Sequence, residues 1–193
     1  SLSGAMERGH DMVYVCYDNE AYMNTGIQRS SSTPKFADTT TSPAGSVIPG
    51  KVQFKKDLTM VMAAHNLPYV AQSAPMTNFK DLYDKAEKAI YTPGPAFLNV
   101  MAPCPRGWRY DTPELMDIIK LAVDSCVWPL YEVVEGEYKL TYRPKVKIPV
   151  ADYLKSQGRF RHVFKGPDSE ARLADIQAEV DRRWENLLKL CGE

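Results

Sequence analysis

Within the 193 residues, the side chains best equipped for chemistry crowd into one short stretch, Asp18-Asn19-Glu20-Ala21-Tyr22-Met23-Asn24-Thr25-Gly26. Asp18, Asn19, Glu20, Asn24 and Thr25 present hard oxygen donors, a set that suits magnesium and phosphate better than zinc. Taken alone, the same composition also describes a polar turn built on Asx hydrogen bonds. The other metal-binding residue types give little. Cys16, Cys104, Cys126 and Cys191 form no Cys-x-x-Cys pair, so their spacing predicts neither a zinc site nor a disulfide framework. His10, His65 and His162 are isolated from one another, and Trp108, Trp128 and Trp184 read as packing or interface anchors.

What would position the nine residues is the run before them. Met12-Val13-Tyr14-Val15-Cys16-Tyr17 is unbroken apolar and β-favouring sequence, the pattern of a strand covered on both faces in a parallel sheet. Ligands of open α/β sheets gather outside the carboxyl ends of the strands, which is where Asp18 to Gly26 falls. Residues 27 to 56 follow as a long polar loop without apolar periodicity. Asp57 then caps a helix with Leu58, Val61, Met62 and His65 on one face, ended by Asn66 and Pro68. Tyr69-Val70-Ala71 reads as a short strand, and Thr77 or Asn78 opens a helix. Its apolar face is Phe79, Leu82, Tyr83, Ala86 and Ile90, with Asp81–Lys85 and Asp84–Lys88 pairs opposite. Ala96 to Met101 is another strand, so strand and helix alternate and the fold class is α/β, a mostly parallel sheet flanked by helices.

Downstream, Thr112 caps a helix with Pro113 at its first position and a face running to Cys126 and Val127, and Leu130 to Tyr142 forms a hairpin around Glu135-Gly136-Glu137. Val150 to Leu154 starts a short helix. Leu173, Ile176, Val180, Trp184, Leu187 and Cys191 mark a long amphipathic terminal helix that docks either on its own domain or on a partner subunit. Lys55-Lys56 and Arg159-Phe160-Arg161-His162 read as solvated basic faces. Twenty-four basic and twenty-four acidic residues leave no net charge, which argues against nucleic acid or an anionic membrane as the main partner. No apolar run reaches the roughly 20 residues needed to span a bilayer and no signal peptide is evident, so a cytoplasmic location is expected. The first residues, Ser1 to Arg8, read as the middle of a helix, as though the chain were the later part of a longer subunit.

Asp18 to Gly26, with Gln28, Ser30 and Thr33-Pro34 behind it, closely resembles the thiamine-diphosphate and magnesium site of the 2-oxoacid:ferredoxin oxidoreductase family, most nearly the beta subunits of its pyruvate-oxidising members. Lys56-Asp57-Leu58, Tyr91-Thr92-Pro93-Gly94-Pro95 and Ala102-Pro103-Cys104-Pro105-Arg106-Gly107-Trp108 resemble those subunits in the same order, and the likeness extends to about residue 165.

The resemblance implies a thiamine-diphosphate-binding fold. Residues 1–110 would be the carboxyl-terminal part of the cofactor domain, 111–165 a family-typical extension, and 166–193 an added terminal helix. It implies Asn19 as a side-chain ligand and Ala21 as a main-chain ligand of Mg2+, with a third ligand, an Asp in a Gly-Asp-Gly element, falling before Ser1. Some relatives have Thr at the position of Asn19, which also offers oxygen. Glu20, Tyr22, Met23 and Asn24 would bind the cofactor, with Asn24 catalytic beside the reacting oxoacid. Cys104 would be one ligand of a 4Fe-4S cluster whose other ligands lie outside the chain. The implied activity is oxidative decarboxylation of pyruvate with coenzyme A to acetyl-CoA and CO2, passing electrons to ferredoxin. The implied partners are alpha-, gamma- and delta-type subunits, and Arg159 to His162 becomes a docking patch for ferredoxin as the weaker alternative to a solvated face. Two other readings stand beside it: the same chemistry on a branched-chain 2-oxoacid or oxalate, and a truncated, non-catalytic domain serving assembly.

Overall fold

Residues 2–76 and 79–193 are described by a computed structural model. Its strands β1 (Val13–Asp18), β2 (Tyr69–Ser73) and β3 (Ala96–Met101) are parallel, and β4 (Tyr131–Val134) with β5 (Glu137–Leu140) adds an antiparallel hairpin. The order across the sheet is β1-β3-β2-β4-β5. The α/β class and mostly parallel core agree with the alternation in the sequence, and β2 and β3 are buried at every position. β1 differs from expectation. It is an edge strand bonded to β3 alone, with Tyr14, Val15 and Tyr17 exposed, the last at 74%. An apolar run shows that a strand wants cover but cannot show where in the sheet it lies.

The helices are α1 (Leu2–Glu7), α2 (Leu58–Ala63), α3 (Lys80–Tyr91), α4 (Pro105–Trp108), α5 (Leu115–Asp124), α6 (Val150–Lys155) and α7 (Ser169–Leu190). Asp57 caps α2 as expected, its carboxylate accepting from the Met60 N–H at 3.0 Å. The expected opening of α3 at Thr77 or Asn78 lies outside the described residues. The face assignment of α3 holds only in part: Leu82 and Ala86 pack on the sheet and Asp81 pairs with Lys85 as expected, but Lys88 pairs with Glu132 and not with Asp84. Lys85 and Ala89 are its buried residues, while Phe79, Tyr83 and Ile90 are exposed. Lys85 turns inward because its amine finds the Gln72 carbonyl, Asp81 and the Thr141 hydroxyl at 2.7–2.8 Å. Burial pushes that amine down to about 8.

Thr112 and Pro113 belong to a 3-10 turn, Thr112–Glu114, and not to the α-helix itself. Asp111 precedes the turn, with its N–H given to the Glu114 carboxylate at 3.2 Å. Helix α5 ends at Asp124, so Cys126, at φ 60, is off its face. The hairpin turn is the pair Glu135-Gly136, both left-handed, which matches the twist of the strands they join, and Glu137 already belongs to β5.

One sheet face, carrying Val70, Phe97, Tyr131 and Val133, packs on Met6, Met62, Ala63 and Leu187. The other packs Tyr69, Ala71, Leu98 and Val100 against α3. A third cluster joins Trp108, Trp128, Ile118, Tyr153 and Phe160 to Ile176 and Val180 of α7. Of the two alternatives for the terminal helix, these contacts place it on its own body. No helix among the described residues is long and apolar enough to cross a membrane.

Residues 27–56 contain no helix and only isolated bridges. Buried Lys51 ties the loop together, its amine donating to the carbonyls of Thr33 at 2.5 Å and Ser31 at 3.1 Å. Burial, and after it the charges of Arg29 and Lys55, pushes that amine down to about 8.

Candidate functional site

Asp18 is the last residue of β1 and the first of the loop. Its carboxylate accepts the Glu20 N–H at 3.0 Å, and Asn19 Oδ1 accepts the Ala21 N–H at 3.3 Å, two overlapping Asx turns. Glu20 takes φ 64, a conformation uncommon for a side chain of its type and tolerated where surroundings enforce it. Tyr22 and Gln28 then exchange backbone hydrogen bonds at 2.9 and 3.0 Å, closing the loop between them.

Most of the loop's carbonyl oxygens are committed. Asp18 accepts from the Ala102 N–H at 3.0 Å, Asn19 from Trp108 Nε1 at 2.9 Å, and Glu20 from the Thr33 hydroxyl at 2.6 Å. Tyr22 accepts from Gln28, and Met23 from Gly26 and Ile27. From Asp18 to Met23 only the Ala21 carbonyl accepts no hydrogen bond from the described residues, and beyond it those of Asn24 and Thr25 are likewise open. Half-buried, the Ala21 oxygen is open to solvent or to a ligand. Asn19 Oδ1 holds a single long bond and keeps acceptor capacity. Two hard oxygens at a sheet's carboxyl edge fit a magnesium ion carrying a diphosphate.

Beneath the loop lie four charges. Asp18 Oδ2 meets Lys55 Nζ at 2.5 Å, and the Ser32 hydroxyl donates to Asp18 Oδ1. Glu20 Oε2 meets Arg159 Nη2 at 2.5 Å, with Lys55 Nζ 3.3 Å from Oε1. Glu20 is 1% and Arg159 2% exposed. The Glu20 carboxylate therefore faces the protein body, leaving its backbone as the part that borders the loop. The Arg159 guanidinium lies 3.9 Å from the Trp108 ring centroid, and the same indole holds the Asn19 carbonyl. Arg159 thus braces the loop twice, through Glu20 and through Trp108. Neither Lys55 nor Arg159 is the solvated cation its sequence suggests, and Phe160 is fully buried as well. The apolar neighbours Phe54 and Phe160 were the available local signal. The acidic partners lie far away in sequence.

From β3 the chain runs through Pro103 and Cys104 into α4. Gly107 is there because of a close approach: a Cβ on it would lie 2.3 Å from Met23 Sδ and 3.6 Å from Cys104 Sγ. Both sulfurs thus converge at the carboxyl edge of the sheet, beside the loop. The Tyr110 hydroxyl donates to the Pro103 carbonyl at 3.2 Å, and burial, followed by nearby Cys104, pushes that phenol up to about 12. Asn19, Ala21 and Met23 are half-buried, whereas Tyr22 and Asn24 are exposed, and no side-chain hydrogen bond ties Asn24 among the described residues. Cys16, Cys104, Cys126 and Cys191 are all free thiols. No group of three or more His, Cys, Asp or Glu residues able to hold a metal occurs among the described residues. A cluster on Cys104 would accordingly draw its remaining ligands from elsewhere. His65 Nε2 lies 2.8 Å from the Ser3 hydroxyl and His162 Nε2 3.1 Å from the Pro49 carbonyl, consistent with structural roles.

Comparison with known proteins gives the family. Residues 1–100 match the model described as "Thiamine pyrophosphate enzyme, C-terminal TPP binding domain". The chain is 50% identical to the pyruvate synthase subunit PorB of Thermotoga maritima, over 98% of this chain and 58% of that protein. It is 55% identical to the pyruvate synthase subunit PorB of Methanocaldococcus jannaschii, over 95% of this chain and 59% of that protein. With the ketoisovalerate oxidoreductase subunit VorB of Pyrococcus horikoshii it shares 45% identity, over 98% of this chain and 60% of that protein. The chain thus spans about three fifths of the length of these curated relatives. With more than half of its residues matched to that one model, the chain belongs to the family of thiamine pyrophosphate enzymes and carries their C-terminal TPP-binding domain.

Proposed function

We propose that this chain is the cofactor-holding part of the beta subunit of a 2-oxoacid:ferredoxin oxidoreductase, acting on pyruvate with coenzyme A within a multi-subunit enzyme. The observation that carries the reading is the uncommitted Ala21 carbonyl beside Asn19 Oδ1 at the end of β1. Those two oxygens would hold the magnesium ion of thiamine diphosphate, and Tyr22 and Met23 would line the cofactor. Once bound, thiamine diphosphate supplies the electron sink on which decarboxylation of a 2-oxoacid depends. The protein's part is to hold, orient and stabilise charge. Asn24, exposed and untied, can turn its amide toward an oxyanion without titrating. Cys104 would give one thiolate to a 4Fe-4S cluster, the other ligands coming from outside this chain, and ferredoxin would take the electrons onward.

Pyruvate is assigned because relatives at 50% and 55% identity bear the name pyruvate synthase. The 45% identity to a ketoisovalerate oxidoreductase subunit favours a branched-chain 2-oxoacid as the second reading. Calorimetric titration of Mg2+ and thiamine diphosphate into the assembled apo-enzyme tests the site. Asn19→Leu is expected to weaken binding at least about tenfold, in the range seen when groups that support a metal site are removed. Unchanged affinity would reject the assignment. Turnover of pyruvate against 2-oxoisovalerate and oxalate decides the substrate.

A further inference from the structure

Beside Glu20 and Lys55, between the sheet, α6 and α7, lies a cavity of about 100 Å3. Its walls are largely apolar, with Val127, Leu154, Ile176 and Val180 among them. Yet three buried polar atoms on residues that line it make no well-formed hydrogen bond among the described residues: Asn99 Oδ1, Tyr131 OH, which has Thr59 as a polar neighbour, and Tyr153 OH, which has Gln157 and Arg159. Their residues are 2%, 1% and 1% exposed. Glu20 also lines it, and its Oε1 has only the ion pair with Lys55 at 3.3 Å.

A buried polar atom left unsatisfied costs about 1–3 kcal/mol, so several around one cavity point to a shared occupant and not to chance. The chemistry of the donors narrows what it is. Burial, with Glu20 adding to it, holds the Tyr153 phenol well above its ordinary range, so it stays protonated and can donate. Burial does the same for Tyr131. Asn99 Oδ1 and Glu20 Oε1 can only accept. A hydrocarbon would satisfy none of these atoms. An anion would face the Glu20 carboxylate, and a further cation would face Lys55. A neutral molecule that both donates and accepts meets every requirement. Water needs only about 10–15 Å3 of such volume per molecule and two to four polar partners.

We propose that this cavity is a binding site for a small cluster of ordered water that bridges Asn99, Tyr131 and Tyr153 and reaches the carboxylate of Glu20. The cluster hydrates Glu20 and Lys55, the two members of the charged quartet that line the cavity. Its role is to offset the cost of burying the Glu20 carboxylate, whose Oε1 otherwise has Lys55 alone. The proposal is independent of the cofactor assignment, since it concerns only this chain's interior.

High-resolution crystals of the assembled enzyme test it directly. Density peaks within hydrogen-bonding distance of Asn99 Oδ1, Tyr131 OH and Tyr153 OH are expected, and xenon under pressure should not enter. A site without such peaks, or one that takes up xenon as dry apolar cavities do, overturns the proposal. Tyr153→Phe and Tyr131→Phe give a readout of known sign. If water bonds each hydroxyl, removal should lower the melting temperature by about 2–4 °C. If the hydroxyls are unsatisfied in a dry cavity, removal should leave it unchanged or raise it, which overturns the proposal.

Discussion

Asn24 is exposed and untied, whereas Glu20, in the same loop, is sealed against Arg159. The two should therefore answer mutation in opposite ways. Asn24→Ala is expected to lower kcat of the assembled enzyme by about 10²- to 10³-fold while leaving the melting temperature unchanged. Arg159→Met leaves a buried carboxylate without its partner and should cost about 3–5 kcal/mol in a denaturant titration. Arg159→Lys should recover only part of this, because a lysine cannot both pair with Glu20 and stack on Trp108. Lys51 gives a pH dependence. Its amine titrates near 8 in the folded chain and 10.5 when unfolded, so between those values the unfolded state binds more protons and stability rises with pH. Denaturant midpoints of the wild type should climb relative to Lys51→Met from pH 8 to 10.5. The oxygen donors of the loop were legible in the sequence because they are consecutive. Lys55 and Arg159 were not, because what changes a surface cation into a buried brace is a carboxylate 37 or 139 residues away.

The elements show the same division. Asp57 before α2 and the Glu135-Gly136 turn are local signals, and both hold. Helix α3 shows the limit: its periodicity marks two faces, and Phe79, Tyr83 and Ile90 look like the inner one until Lys85 finds three oxygens inside. Ile90→Ser should accordingly change stability by less than about 0.5 kcal/mol, while Lys85→Ala should cost more, as circular-dichroism melts would show. Helix α4 touches the site through Gly107. Gly107→Ala would drive Met23 aside, since the clash is with the end of a flexible side chain. It should destabilise the protein, and Met23→Ala in the same chain should restore most of the loss in a double-mutant cycle.

At the scale of the whole molecule, the parallel core was readable from alternation, but the position of β1 at the edge was not, because strand order is a property of long-range pairing. Val15 and Leu98 are paired neighbours on β1 and β3, yet one is 40% and the other 3% exposed. Leu98→Ala should cost about 2–5 kcal/mol and Val15→Ala clearly less, by urea denaturation. The bracing of the loop reaches across the molecule too: Glu20 closes on Arg159, and Lys55 has its carbonyl held by Arg183 at 2.8 Å. These partners are 139 and 128 residues apart. On a ribosome adding about 5–20 residues each second, Glu20 waits roughly 7–28 s for its arginine to be synthesised. Until then the nascent loop has Lys55 for its two acids but not the arginine that closes on Glu20, so the seal on this corner is completed late.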